Sequence, residues 1–154
     1  MTGEDDAGVS TIELVGMARE LTPGGFVLIG GLPAAAITFW KDSVTTGTIV
    51  SYGARTHYLQ RHGEVLDLDR HVIEAVRNPD AIHRDKSDES TANVFRSLDD
   101  EYDIVVSIQL SRDSSRYNSV KSARRQRRAK RHRDEYRGLE VWRKRPAGGT
   151  VTPA

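Results

Sequence analysis

The sequence predicts an α+β fold: helices near the N-terminus packed on an antiparallel sheet of about four strands, followed by a basic helix. Three observations carry this. Helical periodicity lies mostly before residue 78, β-branched and alternating segments cluster between residues 81 and 122, and a dense Lys/Arg run covers 121–137. Runs of helices followed by runs of strands characterise α+β rather than alternating α/β folds.

Taken in order, the acidic start "MTGEDDAG" is expected to be a disordered tail over 1–9 and is no secretory leader. "STIELVGMAREL" (10–21) reads as an amphipathic helix with Ser10 or Thr11 as N-cap and Glu13 at the capping-box position. Ile12, Val15 and Leu21 are its expected inward face. Pro23 and Gly24 end it. Residues 21–40 carry no charge, yet their glycines and prolines break them into pieces shorter than a membrane span. "FVLIGG" and "AAAITFW" fit either a strand or a helix, whereas the β-branched "VTTGTIVSY" (44–52) predicts a strand. A helix over 54–64 follows, then a second from Asp69 to Arg77, with Asp69 as N-cap and Val72, Ile73 and Val76 on one face. Asn78 before Pro79 stops it.

"AIHRD" is a short strand candidate, and "ANVFRSL" with "YDIVVSIQL" reads as an antiparallel hairpin around "DDE". Ile104, Val106, Ile108 and Leu110 share one face by period 2, and apolar Val105 on the other face predicts a central strand covered on both sides. "RYNSVKS" is a further strand, with Arg116, Asn118, Val120 and Ser122 on one face. Residues 122–137 are expected to be helical, and "LEVWRKR" is a last strand or a surface segment. These readings divide the chain into an acidic tail (1–9), an N-terminal extension (10–43), one α+β domain (44–145) and a disordered tail (146–154).

The composition limits the chemistry. With no cysteine there is no disulfide framework and no thiol nucleophile, which fits a cytoplasmic protein. No P-loop, GxGxxG, GxSxG, HExxH or EF-hand pattern is present, so no cofactor or metal is expected. The formal charge of +1 hides a division: residues 1–111 hold 9 Lys/Arg and 18 Asp/Glu, residues 112–145 hold 14 and 4. Such a split marks either a polyanion contact on the basic part or an intramolecular clamp between the two parts. Between Lys121 and Arg137 the cations fall on every helical face, and like charges at i, i+4 destabilise an isolated helix. RNA or DNA phosphate is the economical neutraliser.

"RTHYLQRH" (55–62) gathers two arginines and two histidines. On a helix, Arg55, Leu59 and His62 share a face, while His57 sits about 140° away with Gln60, Arg61 and Glu64. His62 is read either as a packed histidine or as a general acid/base near neutral pH. Ser122, at the expected strand-to-helix turn, is read as a cap or as an anion donor.

These segments resemble the phage-associated barnase–EndoU–colicin–RelE-like nuclease domains. The matching residues are His57, Arg61 and His62; Asn78, Pro79, Asp80 and Ile82; and Asn118, Val120, Ser122 and Ala123, within about 44–137. The resemblance implies a metal-independent, toxin-like endoribonuclease of phage or mobile-element type, cleaving RNA by 2′-OH attack. On that reading His62 is the acid/base residue with His57 as alternate, and Ser122 assists. Arg55, Arg61, Asn118, Lys121, Arg124, Arg125 and Arg128 hold phosphate. RNA is expected before DNA, an inhibitory protein partner is conceivable for such a domain, and no membrane is involved. The rival readings are a non-catalytic nucleic-acid-binding module built on the 121–137 helix, and a phage accessory protein.

Overall fold

A computed structural model describes residues 8–40, 47–113 and 116–145. Five helices and seven strands follow one another among these residues. They are α1 (Thr11–Arg19), β1 (Phe26–Gly31), α2 (Ala34–Ile37), β2 (Gly47–Ser51), α3 (Tyr52–Arg61) and α4 (Leu68–Arg77). Then come β3 (Ala81–Arg84), β4 (Thr91–Ser97), β5 (Tyr102–Gln109), β6 (Asn118–Arg127), α5 (Arg128–Tyr136) and β7 (Glu140–Arg143). All seven strands form one sheet in the order β1-β2-β6-β5-β4-β3-β7, antiparallel except between β2 and β6.

The α+β expectation holds, but the sheet is larger than four strands and is mixed. The difference comes from segments of ambiguous period: "FVLIGG" is β1, pairing with β2, and "LEVWRKR" supplies β7, pairing with β3. Residues 10–40 therefore pack into the same core as the rest. Leu14, Val15, Val27, Ile29 and Ile37 share one core cluster with Val72, Ile104 and Val120. Of the expected disordered tails 1–9 and 146–154, residues 1–7 and 146–154 lie outside the described residues, as does the start of the expected strand at 44–46. Val9 is packed against the core, and its carbonyl accepts a 2.7 Å hydrogen bond from Arg77.

Local chemistry explains the helices. In α1 the Ser10–Glu13 capping box is present. Its buried stripe is Thr11, Leu14, Val15 and Ala18, so Ile12, expected inside, is 80% exposed. α4 buries Leu68, Val72, Ile73, Ala75 and Val76. Its N-cap is Asp67, in the left-handed region that Asp tolerates, rather than Asp69. Where α4 passes β1 the backbones come close: a Cβ on Gly30 would lie 2.9 Å from Arg77 Cγ.

β5 behaves as its pattern demands. Residues 103–108 are all buried, with Ile104, Val106 and Ile108 in the main core beneath α4 and Val105 in a small second cluster with Ala81 and Phe95. β6 departs from expectation twice. It runs on to Arg127, so the basic segment is half strand and half helix. A register shift also occurs where Ile108 pairs Val120 and Ser107 pairs Ser122, leaving Lys121 as a bulge residue. The bulge puts Asn118 and Val120 on the main-core face and Ser122, Arg124 and Gln126 on the opposite face.

Candidate anion-binding cleft

The sheet face away from the main core is polar in the middle, because residues that alternate with core positions are polar on three adjacent strands. From β4 come Thr91, Asn93 and Phe95, from β5 Asp103, Val105 and Ser107, and from β6 Ser122, Arg124 and Gln126. β3 adds His83. α5 crosses part of this face with few apolar side chains. Asp103, fully buried, accepts from Arg128 Nε at 2.9 Å. Arg131 Nε lies 3.1 Å from Asp103 Oδ2, a charge contact whose angles miss hydrogen bonding. Burial pushes the Asp103 pKa up, against the pull of both guanidiniums.

Beside α5 the face stays open as a cleft of about 80 Å³, lined by His83, Asn93, Arg124, Gln126 and Lys130, with Arg84, Asp85 and Lys86 also at its walls. At about 30 Å³ per water, that is room for a phosphate-sized group. Arg124 is half-buried and pairs with no carboxylate among the described residues. Its guanidinium reaches Ser107 Oγ and Gln126 Oε1, both at 3.4 Å, so most of its donors are free for another acceptor. Burial lowers its pKa, partly offset by Asp85. Gln126 Nε2 is buried with no hydrogen-bond partner among the described residues. Ser107 donates to Asn93 Oδ1 at 2.7 Å and Asn93 Nδ2 donates to Asp85 Oδ1 at 3.1 Å, which fixes the amide at the cleft. Among the described residues Arg84 and Lys86 form no ion pair, whereas Lys130 pairs with Asp134 at 3.4 Å. Preplaced, under-neutralised guanidinium and amide donors can hold an oxyanion.

At the floor, His83 is 1% exposed and neither ring nitrogen has a hydrogen-bond partner among the described residues. Its ring lies 4.5 Å from that of Phe95. Burial lowers its pKa, opposed by Glu140, Glu135 and Asp134, which keeps the imidazole neutral at pH 7.

The residues expected from the sequence are distributed differently. Ser122 and Arg124 lie on the cleft face of β6. His57 and Arg61 are exposed on α3, and His62 is that helix's C-cap, 3.8 Å from Glu64. α3 packs on the main-core face through buried Tyr58, so neither histidine is brought to Ser122. Arg55 is committed to structure: its Nε and Nη2 donate to Asp69 at 3.0 and 2.9 Å, and Tyr58 adds a third donor at 2.6 Å. Asn118 is buried and its Oδ1 accepts from Ser111 N at 2.8 Å. Lys121 reaches Asp88 at 3.3 Å and Thr91 at 3.1 Å. Arg125 lies 4.4 Å over the Tyr102 ring. Arg128 donates to Asp103 and to the carbonyls of Asp99, Asp100 and Tyr102.

Much of the charge division is thus an intramolecular clamp. Lys121, Arg127, Arg128 and Arg131 each meet a carboxylate from residues 88–103. Of the cations in 121–137, Arg124, Arg125 and Arg133 have no carboxylate partner among the described residues. The sequence reading missed His83, Asn93, Ser107 and Gln126. Their signal was available as polar residues at period 2 within otherwise buried strands. No family model, curated protein or solved structure matches this chain. The nuclease likeness rests on the sequence motifs alone.

Proposed function

We propose that this protein is a nucleic-acid-binding domain that seats a backbone phosphate in the cleft on the β3–β4–β5–β6 face. The observation that carries this is Arg124, a half-buried guanidinium with no carboxylate partner among the described residues, beside the unpartnered Nε2 of Gln126. Arg84 and Lys86 at the walls, which form no ion pair among the described residues, add positive charge beside Asp85. The likeness to ribonuclease domains favours RNA over DNA. A phosphate contact of this type contributes about 1.5–3 kcal/mol as a charge-assisted hydrogen bond. Binding is then expected to be salt-dependent and largely indifferent to sequence.

The metal-independent ribonuclease activity implied by the sequence motifs needs an acid/base group at the same phosphate. His57 and His62 sit on α3, and the histidine lining the cleft is His83. The test is fluorescence anisotropy with a labelled mixed-sequence RNA, paired with a cleavage assay in EDTA. Salt-sensitive binding lost in Arg124→Gln and kept in Arg61→Gln supports the cleft. Equal loss in both, or no binding by wild type, refutes it. Cyclic-phosphate products in EDTA would add turnover to binding, and intact RNA would make this a binding module.

A further inference from the structure

We infer that His83, Glu135 and Glu140 form a site for a borderline divalent transition metal such as Zn²⁺. One ligand atom from each residue lies within 4.8 Å of the others. The three come from separate, well-fixed elements. His83 is on β3, Glu140 is its cross-strand neighbour on β7, and Glu135 is in the last turn of α5. The α5–β7 turn is pinned by Leu139 N donating to Asp134 O at 3.2 Å, and Arg84 N donates to Leu139 O at 2.8 Å.

The second observation is the histidine itself. A buried imidazole with both nitrogens unpartnered is costly, and buried polar groups almost always have a partner, an ion included. In a tetrahedral Zn²⁺ site with ligand bonds of about 2.0–2.2 Å, ligand atoms sit roughly 3.3–3.6 Å apart. The ligand atoms, all within 4.8 Å of one another, are near that spacing, and two of the three belong to half-buried glutamates. One nitrogen and two carboxylate oxygens suit Zn²⁺, and Ca²⁺ would require six or more oxygens. The three ligands leave a fourth position open. A cavity of about 410 Å³ borders Glu135, together with Arg143 and His132.

Arg143 is the competing group. It donates to both oxygens of Glu140, at 2.6 and 2.8 Å, and lies 3.2 Å from Glu135 Oε2. Its side chain is 61% exposed, so it can swing away when a metal takes over the two carboxylates. His132, 3.4 Å from Glu135 Oε2, also contacts that carboxylate.

The experiment titrates the untagged full chain with Zn²⁺ by calorimetry and with Co²⁺ by visible absorption. One saturable equivalent is expected, with the ligand-field bands of a low-coordinate Co²⁺ site. Glu135→Gln and Glu140→Gln should each weaken binding by about tenfold or more, since even outer partners of metal ligands matter by that much. Arg143→Gln should tighten it, and His57→Ala should leave it unchanged. These changes lie on half-buried or exposed side chains, so the test does not depend on His83 variants folding. Absence of a saturable equivalent, or wild-type affinity in the Glu135→Gln/Glu140→Gln double variant, would overturn the inference. It does not depend on RNA binding, which Glu140→Gln should preserve.

Discussion

Asp69→Ala should be one of the most damaging single changes in the protein. Asp69 is 5% exposed and receives two hydrogen bonds from Arg55 and one from Tyr58, whose ring is 1% exposed. Removing the carboxylate strands a cation and a hydroxyl. Breaking a buried ion pair by deleting one partner costs about 3–5 kcal/mol. The Arg55 side chain is 19% exposed, so water relieves part of this and the lower end, about 3 kcal/mol, applies. The Tyr58 hydroxyl cannot reach water so easily and adds about 1–2 kcal/mol. The sum of about 4–5 kcal/mol is a large part of the 5–15 kcal/mol that holds a typical domain together. Urea unfolding at pH 7, with unchanged m-values, measures it. The double variant Asp69→Ala/Tyr58→Phe should recover about 1 kcal/mol, because the stranded hydroxyl is gone. A loss under about 1 kcal/mol, or no recovery, would refute the buried-cluster account and return Arg55 to the pool of phosphate ligands.

Other outcomes follow from the same geometry. Burial, then the bond to Asp69, raises the Tyr58 pKa far above its usual 10. The unfolded chain therefore loses a proton that the folded chain keeps, and stability falls as pH rises above about 10. Denaturation curves should show this limb, about 1.4 kcal/mol in total between pH 9 and 11, removed in Tyr58→Phe. Asp103→Asn should loosen α5, since that carboxylate faces both Arg128 and Arg131; faster amide exchange over residues 128–136 with the β4–β5 hairpin still protected is the expected reading. Gly30→Ala should cost about 1–3 kcal/mol in thermal or urea unfolding, because the new methyl meets Arg77 Cγ at 2.9 Å.

The elements that were legible in the sequence are those whose hydrophobic period is unambiguous. The α4 stripe Val72, Ile73, Val76 and the two-faced β5 strand appear as their patterns require. The Ser10–Glu13 cap did as well, because it is a local hydrogen-bond pair. The basic run defeated the reading because Lys and Arg suit helix and strand surfaces alike. Pairing with β5 along Tyr102–Gln109 decided that residues 118–127 are a strand. The Lys121 bulge has no sequence mark, yet it moves Ser122 to the face opposite Asn118 and so divides the expected phosphate ligands. His83 was passed over for the same kind of reason. Its significance depends on Glu135 and Glu140, which reach it only through α5 docking and the β3–β7 pairing. The histidines that attracted notice, His57 and His62, owed it to proximity along the chain, and α3 carries them to a different face.

The central claim is that the cleft at Arg124 receives a backbone phosphate. The most direct measurement is side-chain ¹⁵N NMR of the folded protein titrated with a short single-stranded RNA. The account predicts saturable shifts at Arg124 Nε and the Gln126 amide, with the Lys86 ammonium following, and little change at Arg55. Shifts confined to α3 around His57, Arg61 and His62, with Arg124 and Gln126 unmoved, would contradict it.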